Sequence, residues 1–434
     1  MPPSLPPESV RMPGAVFTDH TFTVPLDHAA PDGEQITVFA REMVAVEHSD
    51  RDDLPWLVYL QGGPGRPSPR PASAKMGWLD RALRDYRILL LDQRGTGRSS
   101  PATRLSLASR GSAKDQAQYL THFRADSIVA DAELIRHRLA GGKPWSVLGQ
   151  SFGGFCAVTY LSKAPHGLAE AFITGGLPGL DNRAEDVYRA TYPIVTAKNE
   201  DHYRRYPGDV EVAQRIAAYL ASRDVRLPTG APLTVQAFQA LGVQLGMSAG
   251  SNQLHFLLAD AFDGDQIGDD FAYRALGLLT FAAGPLFGAL HEACYGQGPA
   301  TKWAAQRVRA EFPAFDVPPA PGGDPVLFTG EMIYPWMFET DPVLKPLAEV
   351  ADILADHADW PPLYDPEQLA RNEVPVAAAI YYNDMYVPQQ YSVQTAGRIR
   401  GLRSWVTSEY EHDGLSAGQD KVLDRLIGMV RGAI

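Results

Sequence analysis

In the stretch Val147–Phe155, VLGQSFGGF, one serine stands midway between two glycines, Gly149 and Gly153. A serine hydroxyl becomes a nucleophile when a base takes its proton, an acid holds that base, and preorganised N–H groups receive the charge that builds on the attacked carbonyl. The G-x-S-x-G spacing suits a strand that turns abruptly into a helix. Both flanking positions must be small there, and the serine sits in a strained backbone that holds its oxygen clear of the sheet. Ser151 is therefore the candidate nucleophile. With 39 glycines in the chain, the motif alone does not separate a site from a turn, so its partners must decide.

The chain order expected behind such a serine is an acid and then a histidine. Of eleven histidines, only His412 lies beyond the late apolar run VPVAAAIYYND, in the loop EYEHDG. Asp384, which ends that run, is the favoured acid: it would accept a hydrogen bond from one ring nitrogen of His412 and stabilise the imidazolium. Asp181, after EAFITGGLPGL, is the alternative. Two N–H donors are needed for the oxyanion. The residue after the nucleophile, Phe152, supplies one, and Gly63 in QGGPG (61–65) is the candidate for the other.

These residues need elements that bring them together. AVFTDHTFTVPLD and QITVFAREMVAV alternate with period two and predict an antiparallel opening. LPWLVYL, YRILLLD, WSVLG and EAFITGG are short apolar runs of the kind buried on both faces of a sheet. ADSIVADAELIRHRLA and FGGFCAVTYLSKA, at helical spacing, lie between them, and this rhythm predicts a parallel α/β sheet with crossover helices. From about residue 180 to 370 the pattern becomes largely helical, as in VEVAQRIAAYLASR and TKWAAQRVRAEF, with Pro-rich breaks such as FPAFDVPPAPGGDP. DPVLFTG is the main strand-like run in it. The α/β pattern then resumes with VPVAAAIYYND, QQYSVQTAGRIRG, RSWVTSEYEHDG and DKVLDRLIGMVRGAI. The expected division is a core at 1–179 and 371–434 interrupted by a helical insertion at 180–370.

A formal net charge of −12 argues against a nucleic-acid partner, because phosphates need a basic surface, and suits a cationic ligand better. The two cysteines, Cys156 and Cys294, build neither a metal motif nor a disulfide framework, which fits a reducing compartment. Cys156 reads as a buried small apolar residue, and Asp92 and Arg94 in DQRGTGRSS as residues that pin the turn beside the site. The N-terminal MPPSLPPESVRMPG has no signal-peptide pattern and no apolar run is long enough to span a bilayer. The cytoplasm is the expected location, with no membrane partner. Without HExxH, P-loop or dinucleotide fingerprint, neither a metal nor another cofactor is expected.

LQGGPG, LLLDQRGTGRSS, DAELIRHRLA, VLGQSFGGF and EHDGL, in this order, resemble the proline iminopeptidases, and the length of the insertion resembles their longer subgroup. The resemblance implies an α/β-hydrolase fold with a large, mainly helical cap. It also implies a prolyl aminopeptidase, a serine exopeptidase that releases N-terminal proline from small peptides through an acyl-enzyme. Cap glutamates would bind the free imino group, and Glu292 in LHEACYGQG and Glu331 in FTGEMIYPWMF match those elements. One departure is Gln61, where many members carry histidine. Another hydrolase on the same scaffold (a broader aminopeptidase, amidase or esterase) and a non-catalytic binding relative are the competing readings.

Overall fold

The computed structural model describes residues 9–51, 53–74, 77–316 and 323–434. The Pro-rich residues 1–8 and 317–322 noted in the sequence lie outside them. Nine strands form the central sheet: β1 (Ser9–Met12), β2 (Ala15–Pro25), β3 (Gln35–Ala45), β4 (Trp56–Leu60), β5 (Arg87–Leu91), β6 (Trp145–Gln150), β7 (Leu168–Thr174), β8 (Val376–Tyr381) and β9 (Leu402–Thr407). Their spatial order is β1-β2-β3-β5-β4-β6-β7-β8-β9. The first three strands are antiparallel, β3 lies antiparallel on β5, and every pair from β5 to β9 is parallel. β1 was not foreseen. It is an exposed edge strand of four residues, too short for the alternation of Val10 and Met12 to mark it.

Apolar runs rather than alternating ones were expected for the parallel strands, and the packing gives the reason. Val58, Leu60, Leu89, Leu91, Val147 and Ile173 face one layer, where they meet Ile128, Ile135, Cys156 and Tyr160 of the helices Ala125–Leu139 and Phe152–Lys163. Their neighbours Leu57, Tyr59, Ile88, Leu90, Leu148 and Phe172 face the other layer. There they meet Trp78 and Leu79 of the helix Trp78–Leu83, and Leu423 and Leu426 of the helix Lys421–Arg431. Both faces are covered, so neither set can be polar.

The order β5-β4-β6 locates the crevice. The chain leaves β4 for one side and returns on the other at β6, so the loops at the C-terminal ends of these two strands diverge. Open α/β sheets bind their ligands at such a reversal. Here the loops are Gln61–Gly65 and the turn at Ser151.

Between β7 and β8 the structure is largely helical, with a two-residue ribbon pairing Phe262–Asp263 with Gln266–Ile267. The longest helix, Ala184–Arg205, runs through Pro193. DPVLFTG is not a strand. Side chains from the helices replace the ladder: Asn199 donates to the Phe328 carbonyl (2.9 Å) and accepts from its N–H (2.8 Å), Tyr203 donates to Val326 (2.6 Å), and Gln239 to Leu327 (2.8 Å). Buried backbone groups must be paired, but a sheet is only one way to pair them. In TKWAAQRVRAEF only Ala304–Arg309 is helical. Among the described residues no helix is long and apolar enough to cross a membrane.

Candidate active site

Ser151 stands at the junction of β6 and the helix Phe152–Lys163, with φ +56° and ψ −126°. A non-glycine residue in this region is strained, and such strain persists only where its surroundings fix it. Its N–H donates to the Thr174 carbonyl at 3.0 Å and its carbonyl accepts from Gly154 at 2.7 Å. The flanking glycines are close-approach residues. A β-carbon on Gly153 would lie 1.8 Å from the Leu60 carbonyl oxygen, and one on Gly149 would lie 2.3 Å from the Gly153 carbonyl oxygen. Phe152 is the first helical residue, so its N–H has no intrahelical acceptor and is available at the helix N-terminus.

His412 and Asp384 come from the loops after β9 and β8. Asp384 Oδ2 accepts from His412 Nδ1 at 2.7 Å, while its Oδ1 accepts from the N–H groups of Tyr386 (2.9 Å) and Val387 (3.0 Å). The Tyr386 ring meets the imidazole edge-on, 4.7 Å between centroids. Both carboxylate oxygens are thus committed, and with Nδ1 engaged Nε2 is the ring nitrogen left for chemistry. Burial pulls the His412 pKa down, but Asp384, then Glu331 and Asp413, outweigh it, and the pKa stands above the ordinary histidine value. Asp181, the alternative acid, lies at the surface and pairs with Arg398.

The loop after β4 is packed directly against the elbow. A β-carbon on Gly62 would lie 2.9 Å from that of Ser151. The Gln61 carbonyl accepts from Gln93 Nε2 at 3.0 Å, so the main chain anchors the loop here, and the Gln61 side-chain oxygen is buried without a partner. Asp92 and Arg94 pin the neighbouring turn. Asp92 accepts from the N–H groups of Ser68 (3.0 Å) and Arg98 (2.9 Å), and Arg94 grips Asp131 at 2.7 and 2.5 Å and donates to the carbonyls of Leu26 and Pro25. Cys156 is fully buried.

A cleft of about 580 Å³ is lined by Gln61, Gly62, Gly63, Ser151, Glu331 and His412 together. Phe287, Tyr386, Met332 and Ile333 give it apolar surface, and Arg66 is its cation. Spacing could not single out these residues, although Arg66 follows directly on QGGPG and Tyr386 stands two after Asp384. Burial pushes the Glu331 carboxyl up to about 7, with His412 opposing the shift and Asp384 adding to it. Glu292 departs from expectation. It does not line this cleft; its two oxygens accept from the N–H groups of Ala304 (3.0 Å) and Ala305 (2.9 Å), capping the helix Ala304–Arg309 from a distant segment. Trp303, which precedes that helix, makes no capping side-chain hydrogen bond, so Glu292 satisfies the helix's orphan N–H groups. Among the described residues no cluster of histidine, cysteine and carboxylate side chains is disposed to hold a metal.

A family model described as "alpha/beta hydrolase fold" matches residues 55–224. The proline iminopeptidase of Aeromonas sobria is 51% identical over 413 residues, covering 95% of this chain and 96% of that one. The proline iminopeptidase aneH of Aspergillus aculeatus is 38% identical over 420 residues, covering 94% and 92%. The crystal structure of VinJ is similar with a TM-score of 0.44 at 12% identity, over 96% of this chain and 99% of that one. With relatives of this identity aligned over nearly its whole length, and an elbow, a His–Asp pair and a glycine loop meeting at one crevice, the chain belongs to the proline iminopeptidase family of α/β-hydrolases.

Proposed function

We propose that this protein is a prolyl aminopeptidase that releases N-terminal proline from peptides through an acyl-enzyme. The observation that carries the reading is the convergence of Ser151, His412 and the half-buried Glu331 on one cleft, with Asp384 behind the histidine. Ser151 Oγ attacks the prolyl carbonyl carbon as His412 Nε2 takes its proton. The N–H groups of Phe152 and Gly63 receive the oxyanion. As the C–N bond breaks, His412 returns the proton to the leaving amine, and water repeats the cycle to free proline. Asp384 holds the imidazole in the tautomer that leaves Nε2 unprotonated.

Glu331 binds the protonated imino nitrogen, which offers two N–H donors and a positive charge to a carboxylate. Glu292 caps the helix Ala304–Arg309, none of whose residues lines the cleft. The helical segment 180–370 serves as the cap on a core formed by 1–179 and 371–434. Its role in this reading is to exclude residues upstream of the proline. Cys156 and Cys294 are both free thiols, which suits the cytoplasm.

Hydrolysis of a prolyl anilide, its N-acylated form and a simple ester tests this reading. Turnover of the free-imino anilide, lost on N-acylation and abolished by Ser151→Ala, is the expected result. Equal cleavage of the N-acylated form removes the carboxylate-recognition step, and turnover of the ester alone makes the protein an esterase.

A further inference from the structure

We infer that Arg66 binds the C-terminal carboxylate of the leaving residue, so that the preferred substrates are proline-led dipeptides with a free acid. This rests on the prolyl aminopeptidase reading above and names its substrate class. Arg66 lines the cleft with Ser151, Glu331 and His412, one residue beyond the loop that holds Gly63. Two arginines of the neighbouring turns are engaged by carboxylates, Arg70 by Asp92 and Arg94 by Asp131. Arg66 is half-buried, and among the described residues no carboxylate pairs with it. Its guanidinium instead lies over the Phe287 ring, 5.6 Å from the centroid. Stacking of this kind orients the planar fork and leaves its N–H donors free for a carboxylate.

Glu331 and Arg66 are close enough for the cation to favour the ionised carboxyl, yet they form no ion pair. The cleft therefore presents one anion and one cation that are not paired, with the nucleophile lining the same cleft. That pattern complements a zwitterion. In an extended dipeptide the charged ends are separated by about 7 Å, two residues of chain, with the scissile carbonyl between them. The cap also closes in beside Arg66. A β-carbon on Gly65 would lie 2.6 Å from that of Leu286, and one on Gly284 would lie 2.8 Å from the Gly65 carbonyl oxygen. The segment Gly284–Leu286 thus sits directly on the loop and restricts the leaving side. In a protein of net charge −12, a free guanidinium at this point gives an anionic leaving group a local partner that the overall field denies it.

The test compares kcat/KM for Pro-Gly, Pro-Gly amide and Pro-Asp amide in the wild type, Arg66→Gln and Arg66→Lys. The wild type should prefer the free acid over the amide by tenfold or more. That ratio should fall to near one in Arg66→Gln and recover in part in Arg66→Lys. A structural role for Arg66 would lower both substrates together and leave the ratio unchanged, which overturns the inference. So does a wild type that does not prefer the free acid. An Arg66-dependent gain confined to Pro-Asp amide assigns the guanidinium to a side-chain carboxylate and overturns the dipeptide preference. Failure of the parent reading looks different: the wild type would then cleave no prolyl substrate, the anilide included.

Discussion

Asp384 meets His412 Nδ1 at 2.7 Å with one oxygen while two backbone N–H groups, those of Tyr386 and Val387, fix the other. An acid held this way cannot turn, so neither can the imidazole. Asp384→Asn keeps the shape but offers an N–H where Nδ1 needs an acceptor, and it favours the wrong tautomer. The expected loss in kcat is about 10³- to 10⁴-fold, with KM changed far less. Steady-state kinetics on a prolyl anilide measures it, and a loss below tenfold would remove Asp384 from the site.

The pH profile should report two groups on its acid side. In the proposed mechanism His412 is a base only when neutral, and its pKa stands above the ordinary value; Glu331 would attract the imino cation only when ionised, and burial has moved it up to about 7. Both lose the required form as pH falls, so kcat/KM should drop below about pH 7 with a limiting slope approaching two. The two charges interact, so the apparent values belong to the pair. In Glu331→Gln the slope should fall to one, and kcat/KM at neutral pH should fall by roughly 10- to 100-fold for one charge-assisted bond lost. An unchanged slope would place the second proton elsewhere.

Much of this candidate site is legible in the sequence, for physical reasons that differ by residue. Ser151 announces itself because Gly153 has no room for a β-carbon beside Leu60, which forces a visible glycine pattern. His412 could be found by elimination, because strand order dictates where the base must stand. Glu292 stands away from the cleft, and the sequence does not foretell it, because a carboxylate that caps a helix and one that binds a cation are the same residue there. Only the position of the Ala304 and Ala305 N–H groups distinguishes them. DPVLFTG is strand-like in sequence because its apolar composition signals buried, paired backbone without naming the partner. Asn199, Tyr203 and Gln239 supply it from far away.

Glu292 and Glu331 should therefore separate experimentally. Glu292→Gln keeps one acceptor and leaves the other N–H without its charged partner, at a cost of about 1–3 kcal/mol. Thermal denaturation should show the midpoint lower by about 2–6 °C. Discrimination between the free-imino anilide and its N-acylated form should persist. Loss of that discrimination at unchanged thermal stability would return Glu292 to the imino site and contradict the capping role.

The histidine loop is also tied to the helical segment, residue by residue. Lys198 Nζ meets Glu411 at 2.5 Å, the His412 N–H donates to the Gly246 carbonyl at 3.1 Å, and Asp413 accepts from the Ser248 N–H (3.0 Å) and hydroxyl (2.6 Å). Lys198, Gly246 and Ser248 of the helical segment thus hold His412 from behind, without lining the cleft themselves. Lys198→Met leaves Glu411 partly buried with no cation, and burial already raises its pKa. The loop should loosen around His412, and kcat should fall by about 3- to 10-fold, corresponding to roughly 1 kcal/mol at the transition state. KM for a prolyl anilide should move less, because Glu331 is untouched. Combining Lys198→Met with Ser248→Ala removes two ties from one loop, so the effects should exceed the sum of the single losses. Additive effects, or a change confined to KM, would show that the loop keeps its position without the helical segment.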